Sequence, residues 1–570
     1  MDYHREEFSA AESAILSRYF TNLDSPVFAL INLPEVIKSA LFARYSRSAK
    51  SMRRLFLDEF VPRAEAGAEP AGAPAAADGL VDVKRGGELF DKIFSDYGDD
   101  SVAQLGGAHL ACEQASNILT KVLEWGRLAS YLEQSTRYIL YDKPLGDSYR
   151  YGVPPEIAAG PLAALFRERM DLLFRTYAEL VPPLTRRYEA LHPRPADVAP
   201  GPWRASVRAR VCDDLRGLLP AATLSNVGIF ASGQAFEALL LRMRAHPLAE
   251  VREYGDRVLD ELRTVIPSFV RRVEVADRGV RWSRYMADID REMRKLGAAI
   301  DEPEAPRPAV TLVEWDPDGE VKVAAAALYR YCQLPDDHLL AIVRDMPKER
   351  RRAVIAAYCG VRTNRRHRPG RALERVFYRF DVVAPYSIFR DLQRHRMLTI
   401  EWQTLSTLHG YDVPAAVTAV GADAEWHAAM AAAADLHARL RAAHGEDVAQ
   451  YAVPFGYRMR FCLHMNAREA FHLIELRTQR GGDNAYREIC QQMHRLIAEQ
   501  AGHTAIAGAM KFVDHASYEL GRLESESRTA ERRAARLAGD ATPAGDAIPA
   551  NDATPANGAP APAAAGELNP

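Results

Sequence analysis

The chain lacks most of the features that would assign it quickly. Lys and Arg number 73 against 76 Asp and Glu, a net charge of −3. So even a balance disfavours a polycationic nucleic-acid binder. No run of 18 apolar residues is present, so no membrane span is expected. The opening MDYHREEFSA has no apolar signal core, and the chain reads as cytoplasmic. Cysteines are scarce. Cys112, Cys212, Cys332, Cys359, Cys462 and Cys490 are nowhere closer than 27 residues, which excludes a CxxC zinc or redox pair and leaves buried reduced thiols. Also missing are a Gly-x-x-x-x-Gly-Lys loop, a dinucleotide GxGxxG after a strand, an HExxH helix and a GxSxG elbow. No metal ligand set stands out.

What remains is an ordinary globular composition, 48% hydrophobic and 26% charged over 570 residues. At about 150 residues per domain that is three or four domains, or two large ones. Residues 63–79, RAEAGAEPAGAPAAADG, have too few large apolar groups to offset their ordering entropy and read as a loop insertion. After about Leu537 the near-repeats DATPAG, DAIPAN and DATPAN place Pro at every sixth position, so residues 538–570 read as a disordered tail.

Helical spacing is expected over 105–138, 161–180, 237–262 and 422–448. Strands are expected at 310–315 (VTLVEW), 376–383 (VFYRFDVV) and 457–465 (YRMRFCLHM). The class is α+β and helix-rich. Two regions share a layout. In each, an apolar stretch leads into a polar run, 125–138 and 394–406. An acidic helix, a proline (Pro220, Pro454), a strand-like run and a helix carrying Leu-Arg follow. Two copies of one domain are expected, 1–300 and 309–520, joined at the Pro-rich DEPEAPRPA.

Within the copies, several residues have chemistry suited to an anion. Arg394-His395-Arg396 sits at an element end, where guanidinium forks pair with phosphate oxygens, although a solvated basic corner is the better account of an isolated triplet. Asn466-Ala467-Arg468 opens a helix, and Asn466 is a good N-cap without any function. Arg477, eleven residues on, is about three turns away on the same face. Glu133, Ser135 and Arg137 alternate, so an extended segment would project all three to one side; turn chemistry accounts for them as readily. Arg216 lies four residues before Pro220.

Together these motifs resemble the flavin-dependent thymidylate synthases. That family's signature is R-H-R, seven residues, then S-x-R. Arg394-His395-Arg396 resembles its start, and Ser130, Glu133, Ser135, Arg137 and Tyr138 resemble its end. Asn466-x-Arg468 with Leu476-Arg477 resembles the C-terminal motif, and Val310–Trp315 the opening strand. Asp100-Ser101-Val102 and Arg371-Ala372-Leu373-Glu374 loosely resemble the G-H-x-S-x-x-E segment. The resemblance spans about residues 35–275 and 309–515.

The departures are divided between the copies. The first has Trp125-Gly126-Arg127 in place of R-H-R and no Asn-x-Arg near Ser232, yet keeps S-x-R and Arg216. The second has Thr404-Leu405-Ser406 in place of S-x-R and Gln450 in place of the upstream Arg, yet keeps the flavin motifs. Asp391 replaces a usual Gln, Gly481 a usual His and Arg371 a small hydroxyl residue. A carboxylate such as Asp391 beside a phosphorylated ligand needs a paired cation.

The resemblance implies a mixed sheet flanked by helices in each copy, and one composite site. Arg394, His395, Arg396, Asn466, Arg468 and Glu374 would hold FAD. Glu133, Ser135, Arg137 and Arg216 would hold dUMP, and Arg477 would face the uracil as the catalytic cation. NADPH and methylenetetrahydrofolate would be co-substrates in dTMP synthesis, and a homodimer would rebuild the family's four-domain assembly. The alternative is a non-catalytic flavin- or nucleotide-binding paralogue, a sensor or scaffold.

Overall fold

The computed structural model describes residues 6–45, 48, 50–61, 104–300, 302 and 307–537. The expected loop insertion at 63–79, the 100–102 motif, most of the linker and the tail at 538–570 lie outside the described residues. The chain forms two compact units. The first comprises Met1–Gln134, Gly152–Ala163 and Ala222–Pro303. The second comprises Ser135–Tyr151, Ala164–Ala221 and Glu304–Pro570. No helix among the described residues is long and apolar enough to cross a membrane.

The first unit holds a three-stranded sheet of β1 (Gly107–Ser116), β2 (Ala129–Glu133) and β3 (Leu224–Ser232), with β3 in the middle. Val227, Ile229 and Ala231 alternate inward on β3, the period-2 burial of a half-covered strand. Gly107 opens β1 opposite Ser232, where an added Cβ would meet the Ala231 carbonyl oxygen at 2.5 Å. The N-terminal helices pack a cluster of their own around Leu16, Tyr19, Ile37, Leu41 and Phe56.

The second unit holds β4 (Val310–Trp315), β5 (Phe377–Pro385), β6 (Leu398–Trp402) and β7 (Arg458–Asn466) in the order β4-β5-β7-β6. Tyr378, Phe380 and Val382 on β5, with Phe461, Leu463 and Met465 on β7, bury one face.

The duplication is visible in topology. β1, the helix Asn117–Leu123, β2, then β3 and the helix Gly233–Ala245 repeat as β5, Tyr386–Leu392, β6, then β7 and Ala467–Arg477. Each final helix is capped by the last residue of its strand. Ser232 accepts from Ala235 N at 3.3 Å, and Asn466 from Glu469 N at 2.9 Å.

Two expectations are corrected. Every strand pair is antiparallel where a mixed sheet was expected. β3 and β7 each lie between two strands that run alike, so no parallel neighbours meet. The helix expected over 105–138 is a strand, a seven-residue helix and a strand. Its apolar spacing is helical only across 117–123; the flanks are fixed by ladder partners about a hundred residues away. The expected strands at 310–315, 376–383 and 457–465 are β4, β5 and β7 within two residues.

Candidate functional site

Asp391 ends the buried helix Tyr386–Leu392, and its carboxylate gathers cations within the second unit. Arg394 Nη2 donates to Oδ1 at 2.7 Å. Arg477 Nη1 lies 3.5 Å from the same oxygen, and Arg216 Nη1 lies 3.7 Å from Oδ2. Burial alone would raise this carboxyl. The guanidiniums of Arg477, Arg394, Arg216 and Arg137 outweigh it and hold the group far below the usual carboxylate range. The repulsion that an acid here would bring to an anionic ligand is thus met by cations from both sequence repeats.

Two more acids complete the cluster. Arg137 forks onto Asp213 through Nε at 2.6 Å and Nη2 at 2.8 Å, and Nη1 donates to the Tyr486 hydroxyl at 2.9 Å. Arg216 Nη2 donates to Asp483 at 2.9 Å. Asp483 also caps the helix Asn484–Glu499, its other oxygen accepting from Ala485 N at 2.8 Å. Arg137 and Arg477 both stand over the Tyr486 ring, at 5.5 and 5.4 Å from its centroid. Arg137, Arg216, Arg394 and Arg477 carry four positive charges against three on Asp213, Asp391 and Asp483, leaving an excess of one. Arg216 Nε is buried without a hydrogen-bond partner, an unused donor inside this cluster.

Beside it runs a polar relay. His395 lies in the turn between Tyr386–Leu392 and β6, fully buried. Its Nε2 accepts from Arg477 Nε at 3.0 Å, and its Nδ1 faces Glu469 Oε1 at 3.0 Å. A guanidinium only donates, so the imidazole proton must sit on Nδ1 and point at Glu469. Burial first, and the charge of Arg477, push His395 down to about 4 against the pull of Glu469. Burial opposes ionisation of Glu469, but hydrogen bonds from His395 and His472 hold it at about 2. The donor atoms of His395, Glu469 and His472 lie within 4.8 Å of one another, a spacing a metal ion could use. Metal on His395 Nδ1 would move the proton to Nε2, directly against the Arg477 N–H, so the trio reads as a hydrogen-bonded support for Arg477.

The other expected residues have partners of their own. Glu133 ends β2 in the first unit, 3.7 Å from Lys121. Ser135 and Arg137 are not extended with it, because the chain turns there, Ser135 Oγ accepting from Arg137 N at 3.2 Å. Asn466 acts as the N-cap described above. Arg468 donates to Glu374 at 2.9 Å and to the Pro369 carbonyl at 3.0 Å, and Glu374 also takes Arg371 at 3.0 Å. Arg396 is exposed in its turn.

The degenerate positions are rebuilt as ordinary structure. Gln450 Oε1 accepts from Leu405 N at 3.1 Å, so the two stretches of the second repeat that depart from the resembled motif bond to each other. In the first repeat an added Cβ on Gly126 would meet the Tyr131 hydroxyl at 2.7 Å, and that hydroxyl donates to the Gly126 carbonyl at 2.9 Å. Counting from the caps, Glu469, His472 and Arg477 correspond to Ala235, Ala238 and Met243; Arg242 falls one residue short and stands over Trp125 instead. Sequence reasoning missed Asp213, Asp483, Tyr486, Glu469 and His472. The spacing of Asp213 three residues before Arg216 was the only local signal.

Fold and site therefore define a duplicated α+β protein with one cationic cluster drawn from both repeats. The sequence profile of the family described as thymidylate synthase complementing protein matches residues 39–268 and 311–501. The chain belongs to that family. It is 38% identical over 530 residues to a UPF0159 protein of Chlamydia muridarum, covering 92% of this chain and 98% of that one. It is 30% identical over 517 residues to a UPF0159 protein of Thermoplasma acidophilum, covering 86% and 98%. A flavin-dependent thymidylate synthase of Clostridium tetani is 25% identical over 205 residues, 35% of this chain and 76% of that one.

Proposed function

We propose that the chain is an FAD-dependent thymidylate synthase-like enzyme. It would methylate dUMP reductively to dTMP, with methylenetetrahydrofolate as carbon donor and NADPH as reductant, at one composite site. The observation that carries this reading is the Asp391 cluster, in which Arg137 and Arg216 stand with Arg394 and Arg477. Its surplus positive charge and the unpartnered Arg216 Nε suit an anionic ligand.

Arg137, Arg216, Ser135 and Glu133 would hold dUMP. Arg394, His395, Arg396, Asn466, Arg468 and Glu374 would hold FAD, the exposed Arg396 and the half-buried Arg394 and Arg468 suiting its diphosphate. Bound FAD supplies the hydride-transfer chemistry. Arg477, oriented by His395 and Asp391, would stabilise negative charge on the uracil ring in a water-poor site. No cysteine nucleophile is needed, and burial raises Cys490 in the same unit to about 12.

A second reading, a flavin- or nucleotide-binding paralogue without catalysis, draws on Asp213 and Asp483, which already occupy the arginines. The deciding experiment is rescue of a thymidine-requiring strain, joined to tritium release from labelled dUMP with NADPH and methylenetetrahydrofolate. Growth and release are expected. Yellow, dUMP-binding protein with neither would establish the second reading.

A further inference from the structure

The helix Arg281–Ala298 lies between the two stretches that match the family. Ser283 alone is buried on it, its hydroxyl donating to the Leu241 carbonyl at 3.2 Å. Every residue from Asp288 onward is exposed. The exposed stretch from Asp288 to Ala298 is shorter than the ~12–15 residues at which isolated helices become even marginal, so it gains little from propensity by itself. Its apolar residues are nevertheless ordered. Trp282, Met286, Ile289, Met293, Leu296 and Ile300 recur at alternating spacings of four and three, the a/d seam of a coiled coil. Trp282 is 57% exposed, Ile289 45%, Met293 59%, Leu296 54% and Ile300 73%.

We propose that this seam is an interface between two copies of the chain, paired in parallel. The area is adequate. At roughly 200 Å² per large side chain, Trp282, Ile289, Met293 and Leu296 within the helix, with Tyr285 beside them 61% exposed, leave on the order of 550 Å² per chain, about 1,100 Å² across a pair and just above the ~1,000 Å² expected of a specific interface. Charge selects the direction. Taking Trp282, Ile289 and Leu296 as d, the flanking charges are Asp290 at e and Glu292 at g. An antiparallel pair with Ile289 opposite Met293 would set Asp290 against Asp290 of the other copy, and Glu292 against Glu292. A parallel pair sets Tyr285 against Asp290 and Glu292 against Gly297, with no like charges opposed. Within each helix Arg291 pairs with Asp288 at 2.5 Å, while Arg294 reaches the flanking Asp290 at 2.7 Å and Lys295 lies 3.9 Å from Glu292, which softens this preference without reversing it.

Cysteine cross-linking of the full chain tests both the surface and its direction. Under mild oxidation Ile289→Cys and Met293→Cys are each expected to yield a covalent homodimer. Wild type and the outward Asp288→Cys are not. Adding Ile289→Asp to Met293→Cys should cut the yield at least tenfold with an unchanged circular-dichroism melt, since the position is exposed. The proposal is overturned if neither variant cross-links, or if Ile289→Asp leaves the yield unaltered. It is overturned equally if only mixtures of the two cysteine variants link, the antiparallel result, or if the chain sediments with anionic phosphatidylglycerol vesicles and forms no covalent dimer.

Discussion

Arg137 illustrates how a binding arginine and a structural one can be the same residue. It is buried, bidentate to Asp213 and bonded to Tyr486. Arg137→Ala would strand Asp213 in a low-dielectric site, which costs about 3–5 kcal/mol when one partner of a buried pair is removed. We expect Arg137→Ala to be poorly soluble, and Arg137→Met with Asp213→Asn to fold, keep flavin and lose dUMP affinity in calorimetry. Arg396 is exposed, so Arg396→Ala should fold normally and lose flavin absorbance. Equal flavin loss in both variants would end the assignment of nucleotide to one repeat and flavin to the other.

His395 gives the relay a pH signature at this same scale. Its folded value of about 4 lies below its ordinary 6.5, so the unfolded chain binds the extra proton between those limits. Its contribution is complete above pH 6.5 and falls away toward pH 4; that of Glu469 follows from 4.5 down toward 2. Urea midpoints should therefore drop between pH 7 and pH 5, by on the order of 2 kcal/mol in unfolding free energy. His395→Gln should flatten that slope; an unchanged slope would remove His395 as its source.

At the scale of elements, the helix Ala467–Arg477 does most to organise the site. Its cap Asn466 fixes where the turns begin, and Glu469, His472 and Arg477 then fall toward one corner. Asn466→Ala should lower stability by about 1 kcal/mol, while Asn466→Ser should restore most of it. If flavin retention is lost in the Ser variant as well, the side chain has a role beyond capping. This helix was legible in sequence, because a strand, an Asn cap and Arg477 three turns later are local signals. β4, β5 and β7 were legible through alternation. β3 was legible only as the strand-like run after Pro220; β1 and β2 were not, because GAHLACEQAS carries small and polar groups whose strand identity comes from the partner β3. Arg137, Arg216, Arg394 and Arg477 were found as motif positions and Asp391 as an acid in need of a cation, but Asp213 and Asp483 were invisible, since they are brought to the arginines only by tertiary structure.

For the whole molecule, sequence order and compact unit do not coincide. Ser135–Tyr151 and Ala164–Ala221 come from the first repeat and belong to the second unit. Within that unit Gly456 N donates to Gly217 O at 2.8 Å, Phe455 N to Leu219 O at 2.8 Å, and Ala221 N to Val453 O at 2.9 Å. Residues 304–537 expressed alone would lose these bonds and leave Asp391 and Asp483 without Arg216. Such a fragment should be insoluble or protease-sensitive, and co-expression with residues 1–303 should rescue it. A fragment that melts like the full chain would contradict the interleaved arrangement.

The bond between Leu405 and Gln450 has a consequence as well. Replacing Gln450 by arginine would remove the acceptor that holds Leu405. The two departing stretches of the second repeat thus act as a latch, in which a change back at 450 begins by breaking the bond that now ties the loop down.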